Sequence, residues 1–203
     1  MQKHKLIPVI LLAGSLAACS GGHKNVMIVA SGSFTVNGNT ITVDPSLTHN
    51  EQETAFSGDK VTITVKTTSG TTKTFDLTDN GSYLLNLQND TLIGGIVNYG
   101  STERPGSIGA DQLNHIIDST KQLIAGQNAS DEKKTYFVPP FTIKKVSAQD
   151  NAKIIGSFNG IPHDNDADGS GKAPEVYKFF TTKQKREKIE ELEKEQQKLK
   201  SVG

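Results

Sequence analysis

From Asn25 to Gly100 apolar side chains recur at alternate positions and are interrupted at near-regular spacing by turn residues. That period of two belongs to strands with one face in a core, so this stretch is constrained to a β-sheet before any other feature is weighed. Val26, Ile28 and Ala30 alternate with polar or small neighbours, and Phe34-Thr35-Val36 and Thr40-Ile41-Thr42-Val43 flank Asn37-Gly38-Asn39. Asn-Gly between alternating segments predicts a tight hairpin, because both central positions take positive φ. Val61, Ile63 and Val65, a turn at Ser69-Gly70 and a return through Phe75 and Leu77 predict a second hairpin. Asp79-Asn80-Gly81 turns the chain again. Tyr83 to Leu87 and Thr91 to Tyr99 predict a third pair around Asn89-Asp90, with Gly94-Gly95 marking a bulge or a close backbone approach. The expectation is a meander of antiparallel strands.

After a Gly/Ser/Pro-rich loop at 100–110 the period changes. Leu113, Ile116, Ile117, Thr120 and Ile124 recur at helical spacing, with Asp111 as a first-turn acid and Gly126 as the stop, which predicts an amphipathic helix laid on the sheet. Tyr136 to Val138 and Phe141 to Val146 resume strand character around Pro139-Pro140, which forces an edge, a bend or a break. Lys153 to Phe158 reads as one more short strand. Glu175 to Gly203 lacks proline and is dense in Lys, Glu and Gln, with Val176, Phe179, Phe180, Ile189, Leu192 and Leu199 as its apolar set, which predicts one long C-terminal helix. Its first turns would dock and its end would project as a hook for an envelope protein partner. The fold class expected is α+β, mainly β. An antiparallel β-sandwich or small open barrel spans residues 26–158, with one packed amphipathic helix, a polar loop at 159–174 and a charged helix at 175–203.

Charge and composition narrow the function. The 22 basic and 22 acidic residues cancel, which argues against nucleic acid as a partner, because binding phosphate backbones needs a basic face. Tryptophan is absent and aromatics are only 6%, which suits stacked-sugar recognition poorly. Neither a Gly-x-Ser-x-Gly nor a His-Glu-x-x-His motif occurs, and no glycine loop is built to cradle phosphate. His115 has Asp111 four residues before it and Asp118 three after it, a spacing that fits an acid/base cluster. Without a nucleophile motif it reads as a solvated helix face, and His163 as a solvent-exposed loop residue.

At the N-terminus, Lys3 and Lys5 precede an apolar run from Leu6 to Ala13 that is too short for a bilayer, which takes about 20 apolar residues. Residues 1–18 therefore read as a signal peptide. Leu16-Ala17-Ala18-Cys19 follows, with the chain's only cysteine, and it closely resembles the lipobox of bacterial lipoproteins. The resemblance implies diacylation of the Cys19 thiol, cleavage before it and acylation of the new amine. With Cys19 consumed, no thiol is left for a disulfide, a metal or a nucleophile. Ser20 at the next position resembles the default for outer-membrane delivery in Gram-negative lipoproteins, so the expected location is the outer membrane facing the periplasm. Residues 19–25 then read as the acylated cysteine and a flexible spacer.

One polar stretch carries a second pattern. Asp164-Asn165-Asp166-Ala167-Asp168-Gly169-Ser170-Gly171-Lys172-Ala173-Pro174-Glu175 places acids at positions 1, 3 and 5, glycine at 6 and glutamate at 12, and it resembles the calcium loop of the EF-hand family. A hard cation takes six to eight oxygens at roughly 2.3–2.6 Å, alternate short carboxylates point inward, and a glutamate one helical turn on closes the shell. The resemblance implies Ca2+ held by Asp164, Asp166, Asp168 and Glu175 through side chains and by Ser170 through its carbonyl, with the loop running directly into the C-terminal helix. Gly171 stands where family loops carry an apolar residue, and Ile161-Pro162-His163 argues against a preceding helix, so the loop would act singly, as a structural clip. The other reading of these residues is a solvated Asp/Asn/Gly linker. Together the features point to a lipid-anchored envelope protein acting as a non-enzymatic binding or scaffolding module. A calcium-stabilised structural module and a hydrolase with a dispersed site are the alternatives.

Overall fold

The computed structural model describes residues 22–97, 110–160 and 174–202. In chain order the elements are β1 (His23–Asn37), β2 (Thr40–Ser57), β3 (Val61–Thr67), β4 (Thr72–Leu77), β5 (Gly81–Leu87), β6 (Leu92–Ile96), α1 (Ala110–Ile124), β7 (Thr135–Val138), β8 (Thr142–Ser147), β9 (Lys153–Ile155), β10 (Val176–Thr181) and α2 (Thr182–Val202). The fold is α+β and mainly β. A six-stranded sheet in the order β4-β3-β2-β1-β5-β8 curls into a nearly closed barrel, and a four-stranded sheet, β7-β6-β10-β9, packs on its outer face.

Alternation along β1 and β5 builds both cores. Val26, Ile28 and Ala30 on β1 and Tyr83, Leu85 and Leu87 on β5 face the barrel interior with Ile41, Val43, Phe56, Ile63 and Phe75. Val29 and Leu84, on the opposite faces of the same strands, pack on Leu92, Tyr136, Val138, Tyr177 and Phe179 of the second sheet. Every residue of β5 is buried, as befits a strand covered on both sides. The barrel nearly meets itself where the Lys73 ammonium donates to the Phe141 carbonyl at 2.8 Å.

The predicted hairpins are present, with Asn37 paired to Thr40, Lys66 to Thr72, and Gly38 and Gly70 at φ of 56° and 97°, but the first turns through Gly38-Asn39 and only Gly38 there takes positive φ. The simple meander is not present. β1 pairs with β5 in parallel, and so does β2 with β3. The cause is a bend in the long β1–β2 hairpin, where the register shifts between Ser31, opposite His49, and Gly32, opposite Pro45. Beyond it the hairpin doubles back, so that Val61–Thr67 comes to lie beside the first half of β2, running the same way. Gly32 makes the bend feasible, with φ of 117° and a neighbouring Asp44 carbonyl oxygen only 2.0 Å from where a Cβ would sit.

The third expected pair is also corrected: β5 stays in the barrel while β6 belongs to the second sheet. Polar side chains drive that crossover. Fully buried Asn86 donates to the carbonyls of Asp90 and Val138, at 2.9 Å each, tying the two sheets together. The diproline makes the next crossover, leaving β7 and β8 as edge strands of different sheets.

Residues 175–203 are not one helix. Val176–Thr181 forms β10, hydrogen-bonded to β6 on one side and β9 on the other, because its β-branched and aromatic side chains fit a pleated surface covered by a core. The helix begins only at Thr182. A capping box sets that start: the Gln184 amide N–H donates to Thr181 Oγ1 (3.1 Å), and the Thr181 N–H donates to Gln184 Oε1 (2.9 Å). The Asp90 carboxylate lies at the same helix end, accepting from Thr182 Oγ1, the Lys183 N–H and the Thr91 N–H, where the helix dipole favours an anion. α1 packs chiefly on α2, through Leu113, Ile117, Ile189, Ile124 and Leu192, and touches the sheet only lightly at β7, while Ile116 is exposed. Lys121 pairs with Glu193 at 2.7 Å and Gln196 bonds Asn114 at 2.5 Å, so α2 is docked well past its first turns and does not project as a free hook there. At the other end of the chain the expected spacer is shorter than 19–25, since β1 starts at His23 and Lys24 is fully buried.

The bend can be tested at two glycines. Gly32→Ala should lower the unfolding free energy by about 3 kcal/mol or more, through positive φ and backbone collision together. Gly70→Ala, with nothing within 4 Å of its Cβ position, should cost only about 1 kcal/mol. Urea denaturation of the two variants measures the contrast.

Candidate functional site

The edges of the two sheets diverge beside β8, and a cleft of about 400 Å³ opens between β7, β8, β10 and the segment that follows β8. Glu175, immediately before β10, supplies its half-buried charge. Its carboxylate accepts hydrogen bonds from the Lys134 ammonium, from Ser147 Oγ at 2.6 Å and from the Tyr177 hydroxyl at 2.7 Å. Burial pushes this carboxyl up, but the three donors together outweigh burial and hold it below the usual glutamate range. Burial, then the adjacent Glu175 charge, drives the Tyr177 hydroxyl far above the ordinary tyrosine value. Tyr136 is pushed up to about 12, first by burial and then by the charges of Asp131 and Glu175, and it donates to the Val146 carbonyl at 2.7 Å.

Around this floor the rim alternates in sign. Lys144 pairs with Asp131 at 2.9 Å and lies 5.7 Å from the centre of the Tyr136 ring, and Lys145 faces Asp79 at 3.8 Å. Both tyrosines stay protonated at neutral pH, Ser147 spends its proton on a carboxylate, and the Lys134 ammonium is paired. The rim ammonium groups and carboxylates can exchange these partners for those of a polar or charged ligand.

A second polar cluster lies on β2. His49 Nε2 meets Glu51 Oε1 at 2.5 Å, Gln88 Nε2 donates to His49 Nδ1 at 2.7 Å, and the ring packs tilted against Phe158 with centroids 4.5 Å apart. Both ring nitrogens are thus held by neighbouring side chains. Glu51 also accepts from Asn159 at 2.6 Å. The buried Gln88 Oε1 has no partner among the described residues.

Cys19, Asp164, Asp166, Asp168, Ser170 and His163 lie outside the described residues. Glu175 lies inside them, and it precedes a strand, so the EF-hand-like loop does not run into a helix as expected. Its two carboxylate oxygens are engaged by Lys134, Ser147 and Tyr177. Among the described residues no group of three or more His, Cys, Asp or Glu side chains is arranged to hold a metal ion, and no helix is long and apolar enough to cross a membrane. His115 is exposed and lies 3.5 Å from Ser119 Oγ. Lys134 and Ser147 escaped sequence reasoning because they meet Glu175 only through the packing of distant strands, and Tyr177, two residues from Glu175, because the segment reads as helix rather than as the strand that sets its hydroxyl beside that carboxylate. No known protein family, curated protein or solved structure matches this chain, and the cleft is read from its own geometry.

Because the folded Glu175 carboxyl titrates below the unfolded one, its network stabilises the fold fully above the unfolded value, and that stabilisation is lost as pH falls through the folded value. Glu175→Gln should cost roughly 1–3 kcal/mol at neutral pH. The fall in Tm of the unmodified protein between about pH 5 and pH 3 should exceed that of the variant. Calorimetric melts across this range check both effects.

Proposed function

We propose that this protein is an envelope lipoprotein, held by acylated Cys19 in the outer membrane facing the periplasm, whose folded body serves as a non-enzymatic binding module. The observation that carries the binding role is the cleft at the seam of the sheets. It combines a carboxylate already organised by three donors, two hydroxyls locked in the protonated state, and a rim of exchangeable ion pairs. Such a surface suits a small polar or charged ligand, or a charged segment of a neighbouring envelope protein. The anchor rests on the lipobox resemblance at Leu16-Ala17-Ala18-Cys19. One acyl chain alone binds a membrane only marginally, and the two or three chains of a bacterial lipoprotein make a lasting attachment.

Two measurements test this reading. Native protein should carry the acyl mass on Cys19, and Cys19→Ser should shift the chain from the membrane to the soluble fraction. A photo-crosslinking residue in place of Asp131, on the cleft rim, should yield discrete adducts in intact cells, whereas the same residue in place of exposed Lys66 on β3 should not. Equal adducts from both positions, or none from position 131, would reject the cleft as the binding surface.

A further inference from the structure

The fold takes hold of the chain almost at once after Cys19. Lys24 is fully buried, its ammonium donating to the Gly58 carbonyl at 2.5 Å and to Asn80 Oδ1 at 3.4 Å. The Gly58 N–H donates to the Gly22 carbonyl at 3.3 Å. His23 pairs with Ser57 across one side of β1, and Lys24 with Gly81 across the other. A Cβ on Gly22 would collide with the Asn80 side chain. The body is thus gripped from Gly22 onward, and only three peptide units join it to Cys19.

We infer that the barrel stands on the bilayer by one defined end, and that the lipid headgroup surface is the partner of that end. This rests on the acylation proposed above. Three peptide units reach at most about 11 Å, so an acylated Cys19 keeps Gly22 within that distance of the headgroups. The turn at residues 57–60, the turn at 78–81 and the start of β1 share this end, because Ser57, Lys24 and Gly81 are neighbours in the sheet. Ser147 of the cleft pairs with Ser82, so the cleft also opens toward the near end. β1 and β5 both run away from the membrane. The bend at Gly32, eight residues beyond Lys24, stands roughly 25 Å higher at about 3.3 Å per residue, and the fully exposed Leu47 crowns it.

Charge does not set this orientation. Lys60 pairs with Asp76 at 2.8 Å and Lys145 with Asp79 at 3.8 Å, and the exposed Asp59 in the turn at 57–60 adds one acidic group, so these near-end turns carry no basic excess with which to seek an anionic surface. The short tether does it. An inverted body would need Gly22 more than 20 Å from the headgroups, about twice what the tether spans.

Acylated Cys19 leaves no other thiol in the chain, so Asp59→Cys and Leu47→Cys, both at exposed positions, each accept a single fluorophore. In phosphatidylcholine vesicles containing a headgroup-nitroxide lipid, quenching of the label at position 59 should exceed that at 47 by about threefold or more, given the difference in height. The difference should survive high salt. A long Gly-Ser insertion after Ser20 should erase it. Equal quenching, stronger quenching at 47, or a difference unaffected by the insertion overturns the inference while leaving acylation intact. Mass spectrometry of the same sample separates the two failures, because an unmodified Cys19 overturns both.

Discussion

The two-sided burial of β1 and β5 is the constraint on which the other layers rest. These strands present Val26, Ile28, Leu85 and Leu87 to one core and Val29 and Leu84 to another, so neither sheet can pack correctly unless both strands hold their register. A slip of one residue would exchange the two faces and leave each core lined with the side chains chosen for the other. Polar groups reinforce the register from inside. Asn86 bonds across the sheets, and Lys24 closes one end of the barrel on a backbone carbonyl. A buried amide or ammonium left without such partners would be costly, which makes these contacts selective as well as stabilising.

The cleft follows from that layering. Two sheets that share a core along their centres but differ in curvature separate at their edges, and there Glu175, Lys134, Ser147 and Tyr177 face one another instead of water. A carboxylate so placed is worth keeping charged, since three donors outweigh its burial. The same donors leave it poorly disposed to act as a base. His49 is likewise committed at both ring nitrogens. The hydrogen bonds of these polar clusters hold their groups in place, which is in keeping with the binding role proposed above.

Much of the sheet was legible because strand and turn signals are local. Val61 to Val65 and the Asn37-Gly38 turn identify their hairpins through alternation and positive φ, properties of a few adjacent residues. The pairing partners were not legible, because β1 finds β5, and β2 finds β3, through a bend at Gly32 whose sequence signal is one glycine among many. Val176 to Thr181 illustrates the same limit. It adjoins a long helical stretch and shares its lack of proline, yet β6 and β9 on either side recruit it as a central strand. The site was less legible than the fold. Glu175 stood out for its place in a twelve-residue spacing, while its actual neighbours lie 28 and 41 positions away in Ser147 and Lys134.

Taken alone, the order of residues determined a β-rich domain with turns at known places, two amphipathic helical segments, a neutral surface and a signal-like start ending in the only cysteine. Those are consequences of periodicity, side-chain volume and charge, which act over one or two turns of chain. Tertiary structure alone decided that the strands divide between a curled barrel and a covering sheet, that the two helices pack on each other, and that the fold already holds Gly22 and Lys24. Each of these depends on burial that no segment can achieve by itself, so it is settled only when distant surfaces meet and exclude water together.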